Sequence, residues 1–306
     1  MKQIYILLIA MYAIAFTACS KDDSSLEDGK EGIITLVHKT DYSDRDPVKM
    51  TFITFNKGKI ITIDWGDGNV EKIECHRARN SEGYYSNEIQ HKYTNSNPYI
   101  ITIKGRIRDF GCFSKHIISL DISKCPALTS LSCSPLALTS LDVSKNTALT
   151  SLNCADNNLT SLDVSGCPAL TMLNCGNNNL TSLDVSKNTA LTGLWCNFTN
   201  LTSLDVSGCP ALTKLECRVS NLTSLDVSKN TALTSLDCTF NALTSLDVSG
   251  CPALTRLQCN DNNLSASALN KIFNDLPPIT YGEISYWNNP GTDTCDKRIL
   301  DYKGWY

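Results

Sequence analysis

Cysteine is the residue with the widest chemical reach in this 306-residue chain, which holds 15 of them. Thiolates ligate metals, pair as disulfides, and attack electrophiles once a base or cation lowers their pKa. Eight fall on one ruler: Cys112, Cys133, Cys154, Cys175, Cys196, Cys217, Cys238 and Cys259, each 21 residues beyond the last. Cys125, Cys167, Cys209 and Cys251 follow at steps of 42. No C-x-x-C pair exists, and Cys75 adjoins His76 without the spacing of two metal ligands. A nucleophilic cysteine needs a base, yet the histidines are His38, His76, His91 and His116, with none further along the repeats. G-x-S-x-G, H-E-x-x-H and the P-loop are absent. A catalytic group should also be unique, whereas these cysteines are copies of one position. The expectation is a protein that is not an enzyme and has no cofactor and no metal. In-register copies would stand about 4.8 Å apart with parallel Cβ vectors, which makes the disulfide dihedral hard to reach. Buried, reduced thiols are expected.

Two polar lines follow the same ruler. Asp121, Asp142, Asp163, Asp184, Asp205, Asp226 and Asp247 could form a calcium ladder or bond the serines beside them in turns. Calcium would need further oxygen ligands, and only Ser and Thr recur nearby, so turn bonding is the expectation. Asn157, Asn178, Asn241 and Asn262 occupy the ninth slot of their units, where they would satisfy buried turn backbone between rungs. Leu136, Thr199 and Ser220 interrupt that line, so those rungs should be looser. Asn158-Leu159-Thr160 and its copies match a glycosylation sequon but are read as framework.

Lys2 precedes an apolar stretch, Ile4 to Phe16, too short to span a bilayer comfortably. It ends in Phe16-Thr17-Ala18-Cys19, which resembles the lipobox of bacterial lipoproteins. The resemblance implies removal of residues 1–18, acylation of Cys19, and an otherwise soluble protein held at the outer membrane by its acyl chains. Ser20-Lys21-Asp22-Asp23 opens an acidic tether over 19–30, similar to surface-export signals of lipoproteins from gut anaerobes.

Residues 31–105 read as a small β-sandwich. Ile33–Val37, Met50–Phe55, Ile60–Ile63 and Tyr99–Ile103 are β-branched runs separated by Gly, Asn, Asp and Pro. Ile63-Asp64-Trp65-Gly66-Asp67-Gly68, with His91-Lys92-Tyr93 and the Tyr99 run, resembles the PKD family of immunoglobulin-like modules, which implies a spacer. Two carboxylates, Asp64 and Asp67, are too few for a calcium site.

Residues 106–306 read as one domain, in which the chain repeats every 21 residues from 107 until the C-terminal cap. Leu149 to Val164 reads L-x-x-L-x-C-x-x-N-x-L-x-x-L-x-V, which resembles the leucine-rich repeat. The fold class is thus mainly β: a solenoid of 21-residue units with about nine rungs, preceded by a small β-sandwich and closed by short C-terminal capping helices. The cap is read over 264–306, with a helix from Ser265 to Leu276 before Pro277-Pro278, a ninth strand at Glu283–Asn289, and a closing helix over Asp296–Tyr302. This layout resembles the surface leucine-rich-repeat lipoproteins of gut anaerobes.

Lys+Arg 27 against Asp+Glu 31 gives 27 − 31 = −4, and no basic block exists, which argues against a nucleic-acid partner. In each unit slots 4 and 6 should point inward, and slots 3, 5, 7 and 8 outward onto the concave face. Early units offer Ser130, Ser132, Ser151, Asn153 and Ala155 there. Later units offer Trp195, Asn197 and Phe198, then Lys214, Glu216 and Arg218, then Asp237 and Phe240, then Arg256 and Gln258. Aromatic and arginine side chains anchor interfaces most often. These ten residues are the candidate binding surface of a monomer whose partner is an unknown protein, host or bacterial. A glycan stacking on exposed Trp195, Phe198 and Trp287 is the alternative, and a spacer without a tight ligand the second alternative.

Overall fold

The structure, a computed structural model, describes residues 31–39, 46–54, 60–74 and 87–306. Cys19, the tether and the Cys75-His76 pair lie outside the described residues.

The four β-branched runs before the repeats form β1 (Gly32–His38), β2 (Val48–Thr54), β3 (Ile60–Asp64) and β6 (Tyr99–Gly105), and two further, polar strands not expected from the sequence, β4 (Val70–Glu74) and β5 (Asn87–His91), join them. The first repeat contributes β7 (Ile107–Phe113) and, as its return segment, β8 (Ile117–Lys124). Three-residue rungs follow at β9 (Ser130–Ser132), β10 (Ser151–Asn153), β11 (Met172–Asn174), β12 (Gly193–Trp195) and β13 (Lys214–Glu216). Then β14 (Ser224–Asp226) and β16 (Ser245–Asp247), on the opposite wall, alternate with the rungs β15 (Ser235–Asp237) and β17 (Arg256–Gln258). Helix α1 (Ala266–Asp275), β18 (Glu283–Ser285) and helix α2 (Arg298–Lys303) complete the chain. Among the described residues no helix is long and apolar enough to cross a membrane.

Nine rungs run parallel in an 11-stranded sheet ordered β18-β17-β15-β13-β12-β11-β10-β9-β7-β2-β5. Strands β2 and β5 extend it antiparallel from β7. On the other side β8 pairs with β1 in a five-stranded sheet ordered β4-β3-β6-β1-β8. The strands before the repeats therefore continue both walls of the solenoid. One uninterrupted apolar core runs from Ile34 to Trp305. The Asp64–Gly68 turn is pinned at Gly66, whose φ of 78° and approach to the Ile100 carbonyl leave no room for a Cβ. Asp67 is bonded to Asn69 and to His91 (2.8 Å).

Three-residue rungs leave turn backbone that side chains satisfy, partly within the same unit and partly one repeat away. Asn157 Nδ2 donates to the carbonyls of Cys133, Cys154 and Ala155, and its Oδ1 accepts from the Leu138 amide. Asn178 and Asn262 repeat the set, and Asn289 extends it into the cap through the Leu264 amide. A second ladder was not foreseen: Asn146, Asn188 and Asn230, each fully buried, donate to two carbonyls of the preceding rung. These alternate with Cys167, Cys209 and Cys251, whose sulfurs lie 3.3–3.5 Å from the slot-16 carbonyl of the rung before. Cysteine units carry glycine one residue earlier. A Cβ on Gly250 would fall 1.8 Å from the Ser228 carbonyl. The 42-residue alternation thus exchanges an amide clamp for a closer backbone approach. All seven aspartates of the convex line accept the amide of the serine two residues on, from Ser123 to Ser249.

All 13 cysteines among the described residues are free and buried. Burial pushes the Cys133, Cys175 and Cys259 thiols up to about 12, so they behave as small apolar groups. At the C-terminal end, Ser265 caps α1 through the Ala268 amide, and Leu269, Ile272 and Phe273 seal the last rung. Gly282 pairs in parallel with Trp305, and the Ile284 amide donates to Tyr306, which covers the outer edge of β18.

Replacing Asn188 by Ala should remove two buried hydrogen bonds, leaving the Val164 and Cys167 carbonyls only the turn bonds from the Cys167 and Leu170 amides, at a cost of about 1–3 kcal/mol in urea unfolding. A change below about 0.5 kcal/mol would show that this ladder is not needed. His38 gives a second test. It is 1% exposed, stacks on Tyr93 (4.4 Å), meets His116 edge-on (5.9 Å), and neither ring nitrogen has a hydrogen-bond partner. Burial, with the charges of His116 and His91, holds its pKa down at about 4 against the ordinary 6.5. The unfolded chain then takes up the proton first, so stability is full above about pH 6.5 and declines as pH falls toward 4. His38→Phe should flatten that decline. Identical pH profiles for the two proteins would overturn the assignment.

Candidate interaction surface

Parallel register turns each slot into a row. Slot 3 gives Gly193, Lys214, Ser235, Arg256 and Glu283; slot 5 gives Trp195, Glu216, Asp237, Gln258 and Ser285. Within these rows the inward leucines and cysteines are buried, so the variable side chains stand on the concave face. The ten candidate residues lie together on the four adjacent rungs β12, β13, β15 and β17.

Their charges are mostly paired among themselves. Lys214 Nζ lies 2.8 Å from Glu216 Oε1 and 5.5 Å from the Trp195 ring centroid. Asn197 Nδ2 donates to Glu216 Oε2 (3.1 Å), and its Oδ1 accepts the Arg218 amide (2.9 Å). Burial alone would raise the Glu216 pKa, but hydrogen bonds from Lys214 and Asn197 outweigh it and keep the carboxylate ionised below its ordinary range. Asp237 accepts the amide and hydroxyl of Thr239 (3.1 and 2.8 Å). Gln258, oriented to satisfy both neighbours, donates to Asp237 (3.2 Å) and accepts from Arg256 (2.9 Å). Arg256 also reaches Glu283 (3.1 Å). Arg218 differs: its guanidinium sits 5.5 Å from the Phe198 ring centroid, and it enters no ion pair among the described residues.

Trp195 is half-buried rather than exposed. Its ring folds back over Gly193, where a Cβ would come within 2.5 Å of the indole, and the Lys214 ammonium lies over it. Phe198 and Trp287 are open to solvent as expected.

Slot 8 holds what sequence reasoning missed. Seven consecutive rungs place that residue in the left-handed region, with φ of 50–55°: Asp156, Asn177, Phe198, Val219, Phe240, Asp261 and Asn288. Asp and Asn tolerate this conformation, whereas a bulky or β-branched residue there is strained by of order 1–2 kcal/mol. Asn177 bonds Asp156 and Asn288 bonds Asp261, but the three middle rungs carry apolar side chains instead. Val219 was not among the candidates. Its signal was available as the one slot-8 position with a β-branched residue.

A shallow pocket of about 230 Å³ on the opposite wall is lined by Leu225, Asp226, Leu246, Asp247, Ala268 and Lys271. Lys271 is already engaged by Asp247 (3.5 Å) and Asp275. Among the described residues no group of three or more metal-ligating side chains converges anywhere.

The architecture and the repeat define a leucine-rich-repeat solenoid. A family model described as leucine-rich repeats (2 copies) matches residues 147–188. The functional domain of InlJ from Listeria monocytogenes, described as including a cysteine ladder, is 41% identical with a TM-score of 0.55 over 64% of this chain and 42% of that one. A leucine-rich-repeat protein of Leptospira interrogans (22% identity, TM-score 0.51, 54% of this chain and 44% of that one) shares the fold. So does the leucine-rich repeat domain of APL1B (22% identity, TM-score 0.52, 60% and 55%). The chain thus spans 42–55% of the length of these solved structures. Among curated protein sequences none matches. These comparisons indicate no enzymatic family, and leucine-rich-repeat domains generally bind other proteins.

Proposed function

We propose that this chain is a lipid-anchored surface protein that binds a protein partner through the concave face of rungs β12 to β17. One observation carries the reading. The framework slots repeat almost without change, while the outward slots of four adjacent rungs switch from small groups to aromatic and charged ones, most of them held in two bonded groups, one on β12 and β13 and one on β15 and β17. The repeated leucine and cysteine positions already build the core, and the Trp195–Lys214–Glu216–Asn197–Arg218 group stands outside it on the concave face. Such preorganised aromatic and arginine groups are the usual anchors of interfaces. A protein ligand is favoured over a glycan because the Trp195 and Phe198 rings already have cations over them. Residues 31–105 serve as a PKD-like spacer, and Cys19 as the acylated anchor that holds the chain at the outer membrane, facing outward.

Two measurements test this. For a partner identified by cross-linking, Trp195→Ala and Arg218→Ala should each cost about 1–3 kcal/mol of affinity, while Ser132→Ala should cost little. A folded double variant that binds as tightly as the parent removes this face from the reading. For the anchor, Cys19→Ala should release the protein from the membrane fraction. Membrane retention of that variant, with no acyl label on the parent, would refute lipidation.

A further inference from the structure

Three of the seven left-handed slot-8 positions carry side chains that suit that backbone poorly, and the three are consecutive. Phe198, Val219 and Phe240 stand one per rung along the rim where the strands end, with the Phe198 and Phe240 side chains about half exposed. The rungs on either side use Asp156, Asn177, Asp261 and Asn288. Two of the same rungs also lack the slot-9 asparagine. Thr199 and Ser220 stand in its place, bonding each other (2.9 Å), and Thr199 reaches only the Cys196 carbonyl of its own turn (2.9 Å). Two framework positions thus give up their preferred residues side by side. What the fold receives in exchange is exposed apolar area, which contributes nothing to stability. Strain kept without a folding gain clusters where a ligand is bound.

The chemistry beside the rim specifies the occupant. Arg218 lies between Phe198 and Val219 in sequence and over the Phe198 ring. Lys214 and Arg256, the other cations of these rungs, are neutralised by Glu216 and Glu283. Arg218 therefore leaves a guanidinium fork beside an apolar row, which calls for a carboxylate flanked by apolar side chains. Successive rungs rise by about 4.8 Å, close to the ~5.4 Å pitch of an α-helix and far from the ~6.7 Å between same-face residues of a strand. Apolar residues at i, i+4 and i+7 of a helix would fall near one per rung.

We propose that Phe198, Val219 and Phe240, with Arg218, form a docking strip for an acidic amphipathic helix of the partner. This rests on the protein-binding reading above and moves the anchor point from the concave floor to its rim.

A random peptide library displayed on phage, selected on the immobilised full chain, tests the strip. Enriched peptides should carry apolar residues at helical spacing with Asp or Glu beside them. Their synthetic forms should bind at least ~10-fold more weakly to Arg218→Gln and to the double variant Val219→Asn/Phe240→Asn. That double variant should melt no lower than the parent, because asparagine suits the left-handed backbone. A lower melting temperature would overturn the strain argument. Enriched peptides that show no acidic preference, or that ignore Arg218 and the rim while losing affinity with Trp195→Ala, would overturn the strip and leave the concave-face reading standing. No enrichment at all would count against both.

Discussion

The structure depends on one constraint: the buried carbonyls of each turn bond within their own unit and are completed by donors from the neighbouring unit, one repeat away. A rung three residues wide makes too few ladder bonds to be stable alone. Asn157 therefore reaches Cys133, Asn188 reaches Val164 and Cys167, and Thr171 reaches Thr150, all across one register step. The repeat length is fixed by this bonding more than by the leucines, which would pack in several registers. A residue inserted within a rung would put donors opposite donors on both of its faces, whereas the longer segment between β17 and β18, which holds α1, is accommodated outside the ladder.

That dependence explains how the ends are built. An unpaired terminal rung would expose both its core and its sheet edge. On one side β2 and β1 extend the two walls, so apolar packing passes from the repeats into the N-terminal strands without a gap. On the other side α1 covers the core, and the backbone of Trp305 and Tyr306 closes the edge of β18. Unfolding of this chain should then resemble erosion of a one-dimensional array from its ends, with the two caps setting the resistance.

The inward half of each unit was legible because it is written eight times over. Leu at slot 4 and Cys at slot 6 follow from period alone, Asn at slot 9 from the four units that carry it, and Ser265 to Pro277 announces a capped helix. The convex aspartates were legible for a similar reason, since a serine two residues later is a turn signal. The second asparagine ladder was harder, because Asn188 shares its slot with Cys167 and the alternation reads as duplication rather than as two ways of closing one turn. Slot 8 was hidden more deeply. Its variability looks like that of any outward position, and only the backbone reveals that Val219 sits at a φ of 53°. The half-burial of Trp195 depended on Gly193, a residue whose importance is the space it leaves.

The buried thiols have a consequence beyond packing. While the fold is intact, burial keeps them protonated and out of reach, so the solenoid is indifferent to the redox state around it. An opened chain exposes a dozen or more near-equivalent sulfurs at regular intervals, and nothing in their spacing favours one pairing over another. Under oxidising conditions such a chain is trapped by random cross-links faster than it can rebuild its rungs, and opening becomes a one-way event. The working lifetime of the molecule is then governed by how rarely its ends open, not by the depth of its free-energy minimum.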